Sequence, residues 1–195
     1  MSQMSQAPLQ SLEGLIQRLD EAMDADCDAN RCDRIKDALV AATTSGHDFL
    51  DEETKRPVPD SYARRLVHKD PQDRYSVVAM IWGEGQKTPL HDHAGTWCVE
   101  CVYEGRIEVT SFSRAANVCS TTGVYDFKEE ERIVAGQGDA GALIPPFEYH
   151  IIANADATTS VTLHVYGGEI LECSLYLPRE QGGYQAETRQ LGYTA

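Results

Sequence analysis

Residues 83–105 read GEGQKTPLHDHAGTWCVECVYEG, and the interpretation of the whole chain starts from this stretch. Two histidines, His91 and His93, stand one residue apart within it. Side chains alternate between the two faces of an extended strand, so both imidazoles point to the same side. Converging imidazoles are typical ligands of transition metals. The alternative is a pair of surface histidines on a polar strand, and only the spacing of other residues separates the two interpretations.

Length and charge bound the classes of function. A chain of 195 residues is long enough for one domain with a sizeable core. The net charge of −14 argues against nucleic acid or an anionic membrane surface as a partner. We find neither an apolar run of membrane-spanning length nor a secretory signal, so we expect a cytoplasmic protein. We infer no obligate protein partner from the sequence.

The six cysteines are spread through the chain, which favours reduced thiols over a disulfide framework. Cys98 and Cys101 form a CxxC pair in a segment with strand character. An offset of three residues places two strand side chains on opposite faces. This spacing therefore argues against a redox pair or a zinc knuckle.

Hydrophobic spacing divides the chain into a helical part and a β part. Residues 9–42 repeat apolar side chains at helical intervals around a polar break, which predicts a two-helix hairpin. From Tyr75 onward, short runs rich in β-branched and aromatic residues alternate with turn signals. We expect Glu104-Gly105 to be the turn of a hairpin, and the polar tail after Pro178 to be loosely packed.

These elements predict a mainly β fold, a small β-barrel or jelly roll with an N-terminal helical segment. We expect residues 1–60 to form the helical segment packed on the barrel and residues 61–178 to form the catalytic barrel. Residues 179–195 are expected to form a C-terminal tail.

The spacing around the histidine pair resembles the two-part pattern of the cupin superfamily. The first part, in which glutamate usually holds the fourth place, runs here Gly85, His91, His93, Cys98, Gly105. The second part runs here Pro145, His150, Asn154, with Phe147 where a glycine is usual.

The departure at Cys98 leaves three histidines and no carboxylate as candidate ligands. His150 joins His91 and His93 as the third, although by itself it could equally be a core histidine bonded to backbone. Neutral imidazoles suit divalent iron, nickel, copper or zinc, and they leave positive charge on the metal for an anionic thiolate.

Together with further motifs, this pattern resembles the cysteine dioxygenase family of thiol dioxygenases, and its bacterial members in particular. The matching motifs lie within residues 62–176: Tyr62-Ala-Arg64 with Leu66-Val67, WGEG at 82–85, HDH at 91–93 with Cys98 after it, and TLHVY at 162–166. The resemblance implies an Fe(II)-dependent enzyme that oxidises L-cysteine with O2 to cysteine sulfinic acid.

The resemblance also implies a role for individual residues. His91, His93 and His150 would hold Fe(II). Arg64 would bind the substrate carboxylate through its fixed fork of donors, with Tyr62 lining that end.

A further group of matching residues would surround the reacting atoms. The Tyr166 hydroxyl would lie near substrate and oxygen, and His164 would hydrogen-bond to it and orient it. In the family the matching tyrosine can be joined by a thioether to the matching cysteine, here Cys98. Thr162 takes the place of the family's serine, and Cys173 matches a cysteine that lines the pocket.

The alternation of polar and apolar residues leaves the direction of two sets of side chains open. Thr162, His164 and Tyr166 share one face of a strand, which is either turned into the barrel or an outward polar face on an edge strand. Periodicity also does not decide whether Arg64 or Arg65 points inward, so the choice of Arg64 rests on the resemblance.

Three functional hypotheses follow. The first is cysteine dioxygenase, with a small thiol and O2 as the only partners; 3-mercaptopropionate is its alternative substrate. The family branch that uses 3-mercaptopropionate typically has glycine and glutamine where this chain has Cys98 and Arg64, which favours cysteine. The second is a non-catalytic, metal-stabilised binding cupin, and the third is a cupin enzyme that uses another metal.

Overall fold

The computed structural model describes residues 10–115, 123–146 and 148–195. Cys119, Phe147 and the first nine residues of the predicted helical segment lie outside the described residues. The elements are α1 (Leu12–Ala22), α2 (Asp28–Thr43), β1 (Ala63–Lys69), β2 (Ser76–Trp82), β3 (Leu90–His91), β4 (Cys98–Glu104), β5 (Arg106–Arg114), β6 (Val124–Tyr125), β7 (Phe127–Gly136), β8 (Ala140–Leu143), β9 (Tyr149–Asn154), β10 (Ser160–Tyr166), β11 (Glu172–Pro178) and β12 (Tyr184–Gln190).

The strands form two antiparallel sheets. One has the order β1-β2-β10-β4-β8, and the other has the order β6-β12-β11-β3-β9-β5-β7. Apolar side chains from the inner faces of both sheets share one core, which includes Val78, Trp82, Val102, Ile107, Ile152. The mainly β class predicted from the sequence is confirmed.

The predicted helical hairpin is confirmed as α1 and α2, which cover the outer face of the five-stranded sheet. Ser11 caps α1, because its hydroxyl accepts the Gly14 N–H at 3.1 Å. Leu15, Leu19 and Leu39 are fully buried against that sheet. Among the residues that the structure describes, no helix is both long enough and apolar enough to cross a membrane.

Because the helices cover its outer face, the middle of the five-stranded sheet is buried on both sides. Cys98 belongs to the inner core, whereas Cys101 belongs to the outer core under the helices. The opposite-face prediction for the CxxC pair is therefore confirmed. All five cysteines within the described part of the chain carry free thiols.

The predicted hairpin at Glu104-Gly105 is wrong. After β4 the chain crosses to the other sheet, where β5 pairs with β7 and β9. Gly105 has a φ of +78°, and a Cβ there would clash with the backbone and side chain of Ser160. The local sequence correctly marks a turn, but a turn does not reveal which sheet receives the next strand.

The expectation of a loosely packed tail is also wrong. β12 pairs with β11 along its whole length, and its start also pairs with β6. Most β12 side chains are polar, and none of them is buried. The division of the chain at residues 60 and 178 stays a prediction.

Candidate metal centre and substrate cavity

Three histidines from separate segments meet inside the barrel. His91 ends β3, His93 follows in the next loop, and His150 lies directly opposite His91 in the β3–β9 ladder. Their ring centroids are 4.5–5.3 Å apart. One ring nitrogen from each lies within 4.8 Å of the others. The strand predicted through HDH covers only His91, yet the two imidazoles converge as expected.

The free ring nitrogens of this cluster fit a divalent transition metal. Burial lowers the pKa of all three histidines, which keeps the imidazoles neutral. Nδ1 of His91 lies 3.1 Å from the Pro89 carbonyl oxygen, which leaves Nε2 for the centre. Nδ1 of His93 and both ring nitrogens of His150 have no hydrogen-bond partner in the described part of the chain. Buried nitrogens without a partner are costly, and metal ligation would satisfy them.

Two buried carboxylates hold the loop that carries His93. Asp92 accepts the Ala94 N–H at 3.1 Å and the Tyr176 hydroxyl at 2.9 Å. Glu148 accepts the backbone N–H of His93 at 3.3 Å. Ala94 has a φ of +53°, which is uncommon for a residue other than glycine. These anchors fix the loop, and our sequence analysis did not identify them.

The polar row on β10 points into the barrel. Thr162, His164 and Tyr166 are at most 4 % exposed. The alternating residues Val161, Leu163 and Val165 belong to the outer core under the helices. The alternative of an outward polar face on an edge strand is therefore wrong, because β10 lies between β2 and β4.

His164 contacts both Thr162 and Tyr166, in different ways. The Trp82 indole N–H donates to the Thr162 hydroxyl at 3.0 Å, and that hydroxyl lies 2.7 Å from Nε2 of His164. No hydrogen bond joins His164 to Tyr166 within the described residues. Their rings instead stack, with centroids 5.9 Å apart and an interplanar angle of 17°. The Tyr166 hydroxyl donates toward Sδ of Met80 at 3.9 Å.

Cys98 lies directly opposite Tyr166 in the β4–β10 ladder. Burial is the main cause that raises the pKa of its thiol well above the ordinary value, and a hydrogen bond with Tyr166 partly opposes this. The structure thus brings together the two side chains for which the sequence resemblance implies a thioether.

Glu100 is a buried carboxyl group that sequence reasoning missed. It lies two residues after Cys98 on the same face of β4, and one of its oxygens is 3.5 Å from Nδ1 of His164. Burial raises the pKa of Glu100 to about 8, and burial is also the main cause that lowers the pKa of His164 to about 3. The contact therefore joins two neutral groups at pH 7. Its spacing of two from Cys98 predicts the same strand face, but a glutamate in a strand is usually exposed, and spacing alone does not reveal its burial.

Arg64 points inward and Arg65 does not. The Arg64 guanidinium is buried and donates to the carbonyl oxygens of Gly192 at 3.0 Å and Ile170 at 3.4 Å. Arg65 donates instead to backbone carbonyls of the loop that precedes β1. The Tyr62 ring lies tilted against Trp82, with centroids 4.8 Å apart.

Most of the predicted site residues line one cavity of about 630 Å³. They are Tyr62, Arg64, His91, His93, His164, Tyr166, Cys173. His150 and Cys98 are fully buried and lie outside this lining. The cavity therefore combines a neutral histidine cluster, a tyrosine hydroxyl and one buried cation.

Several solved structures resemble this chain at low sequence identity. TT1209 from Thermus thermophilus is 21 % identical, with a TM-score of 0.45 over 62 % of this chain and 96 % of its own. A conserved protein with a double-stranded β-helix domain from Klebsiella pneumoniae subsp. pneumoniae is 18 % identical, with a TM-score of 0.42 over 63 % and 91 %. Oxalate oxidase in complex with glycolate is 17 % identical, with a TM-score of 0.43 over 65 % and 63 %.

A family model supplies the assignment. The model described as cysteine dioxygenase type I matches residues 2–179. The match includes both helices, which the motifs recognised in the sequence did not cover. The predicted cupin-type barrel with its N-terminal helical segment is confirmed by the two facing antiparallel sheets and by α1 and α2. The chain belongs to the cysteine dioxygenase type I family.

Proposed function

We propose that this protein is an Fe(II)-dependent thiol dioxygenase that converts L-cysteine and O2 to cysteine sulfinic acid. The observation that carries the proposal is that the Arg64 guanidinium shares one cavity with His91 and His93. Family membership supports the reaction class. The reaction balances without an external reductant, because both oxygen atoms end on the sulfur of the same substrate molecule.

His91, His93 and His150 would hold the iron. Their neutral imidazoles form a nitrogen-only donor set that suits Fe(II), although the same set also accepts other divalent metals. Bound iron would supply the O2 chemistry and a coordination site for the thiol sulfur. The protein would contribute a fixed set of nitrogen ligands and the wall of the cavity around the sulfur.

Arg64 would hold the substrate by its carboxylate. A guanidinium presents several donors in a rigid fork that matches a carboxylate, and a charge-assisted pair is strongest where water is excluded. The cation also favours an anionic ligand among uncharged imidazoles. Tyr62 would pack along the same end of the substrate.

Tyr166 would place its hydroxyl near the substrate sulfur, held in orientation by the stacked ring of His164. The facing positions of Cys98 and Tyr166 support a thioether between them. In that step one S–H and one ring C–H bond are replaced by a C–S bond, and O2 takes up the two electrons and two protons. The product would be a more rigid tyrosine with fewer rotamers.

A comparison of three thiols tests the function and the substrate together. Oxygen uptake by iron-loaded protein is measured with L-cysteine, with 3-mercaptopropionate and with 2-aminoethanethiol, which lacks a carboxylate. The highest kcat/KM for L-cysteine is expected. A preference for 3-mercaptopropionate would keep the reaction class and change the substrate. No uptake with any thiol would favour a non-catalytic metal-binding cupin.

A further inference from the structure

A short segment after β12 runs back across the edge of the five-stranded sheet and covers Arg64. We name residues 191–194 the Arg64 strap. Its start is fixed by the Leu191 N–H, which donates to the Leu171 carbonyl at 2.7 Å. Its end pairs with β1, because the Thr194 N–H donates to the Arg64 carbonyl at 2.6 Å. β1 is an edge strand, so this contact satisfies backbone groups that the sheet leaves unpaired.

Three residues of the strap contact Arg64, namely Gly192, Tyr193 and Thr194. The Arg64 backbone N–H donates to the Thr194 hydroxyl at 3.1 Å. Its guanidinium donates to the Gly192 carbonyl at 3.0 Å, and the Tyr193 ring lies with its centroid 5.2 Å from the guanidinium carbon. As a result Arg64 is only 6 % exposed. A cation over an aromatic face is held by attraction as well as by contact.

Tyr193 is in turn held by a residue outside the strap. Its hydroxyl donates to the Glu169 carboxylate at 3.2 Å, and the same carboxylate is paired with Lys69. Leu191, Gly192 and Thr194 also line the cavity. The strap is therefore both a wall of the cavity and the outer support of its cation.

We infer that the Arg64 strap positions the guanidinium for selection of thiols that carry a carboxylate. This inference rests on the proposed function. The carbonyls of Gly192 and Ile170 each take one N–H of the guanidinium, which fixes its plane and leaves the remaining donors for a ligand. A preorganised arginine loses less rotamer freedom when it binds, so a released arginine would bind a carboxylate more weakly.

The test compares two substitutions of Tyr193. Tyr193→Leu removes the aromatic face under the guanidinium, whereas Tyr193→Phe keeps the ring and removes only the contact with Glu169. Binding of L-cysteine and of 2-aminoethanethiol to full-length iron-loaded protein is measured by anaerobic calorimetry, and steady-state oxygen uptake is measured in parallel. Thr194→Val, which removes the hydroxyl that accepts the Arg64 N–H, is a second variant in case Tyr193→Leu does not fold.

In Tyr193→Leu we expect Kd and KM for L-cysteine to rise about tenfold, while kcat stays nearly unchanged. Affinity falls because the guanidinium loses both its aromatic contact and its preorganisation. Binding of 2-aminoethanethiol should not change, and Tyr193→Phe should resemble the unaltered protein. Equal weakening of both thiols, or no weakening of either, would overturn the inference. Failure of the unaltered protein to consume oxygen with L-cysteine would instead overturn the proposed function, and the inference with it.

Discussion

A carboxyl oxygen of Glu100 lies 3.5 Å from Nδ1 of His164 inside the barrel, and neither group is ionised at neutral pH. The pair therefore contributes no salt bridge. It places a carboxylic acid beside the polar row of β10, on the same strand face as Cys98. An isolated buried carboxylate would be costly, and the neutral form avoids that cost.

Replacement of Glu100 by glutamine should change how stability depends on pH. The folded-state pKa of Glu100, about 8, lies above the ordinary value of 4.5. Between these values the folded protein keeps a proton that the unfolded chain has released. The contribution of Glu100 to the free energy of unfolding is therefore complete below about pH 4.5. It is lost as pH rises toward 8, by an amount on the order of a few kcal/mol.

The measurement is the free energy of unfolding of metal-free protein by denaturant titration, at several pH values in that window. Glu100→Gln should lack most of the decline and should gain stability relative to the unaltered protein at pH 8. Glu104→Gln, at the exposed end of the same strand, is the control and should keep the decline. An identical decline in Glu100→Gln would show that Glu100 does not hold its proton.

Removal of His150 should remove the metal. His150→Ala takes away one of three imidazoles, and the metal content after purification and reloading should fall by more than about tenfold. Metal is measured by elemental analysis against protein concentration. His47→Ala alters an exposed histidine outside the cavity and should retain full metal content. A fully active, iron-replete His150→Ala protein would refute the ligand assignment.

Tyr166→Phe should reduce turnover without loss of metal. The substitution keeps the ring that stacks on His164 and removes the hydroxyl, so kcat should fall about tenfold or more while iron content stays constant. The same variant cannot keep a phenol beside Cys98, and the loss of two hydrogen masses that marks a thioether should be absent from its intact mass. Tyr125→Phe, in a separate aromatic cluster, should leave both readouts unchanged. Unaltered kcat in Tyr166→Phe would remove the hydroxyl from the mechanism.

Arg64 and Arg65 form a natural pair for testing carboxylate binding. Arg64→Ala should raise KM for L-cysteine by about 100-fold, since two charge-assisted hydrogen bonds are lost. Arg65→Ala changes a guanidinium that faces away from the cavity and should leave KM near its original value. Steady-state oxygen uptake gives both constants. Similar effects of the two substitutions would indicate a structural role for Arg64.

The sequence predicted side-chain directions best where functional residues repeat at every second position of a strand. The alternation of Thr162, His164 and Tyr166 places these side chains on one face of β10, and the structure agrees. Their common direction follows from strand geometry alone. Glu100 obeys the same period, but a glutamate in a strand is usually exposed, and only the complete barrel reveals its burial.

Features that depend on distant pairing could not be predicted in this way. Only the family resemblance indicated that Arg64, and not Arg65, points into the barrel. The inward face of β1 depends on which side of its sheet the second sheet covers. The crossing after Gly105 depends on contact with Ser160, 55 positions away in sequence. The Arg64 strap looked like a polar tail, because its backbone hydrogen bonds leave no periodic signal in its side chains.

The proposed dioxygenase reaction is tested most directly by the mass of the product that iron-loaded protein forms from L-cysteine under ¹⁸O₂. We expect cysteine sulfinic acid that carries both labelled atoms, with one O2 consumed for each product molecule. Incorporation of one labelled atom, or oxidation of cysteine to cystine with release of hydrogen peroxide, would contradict it.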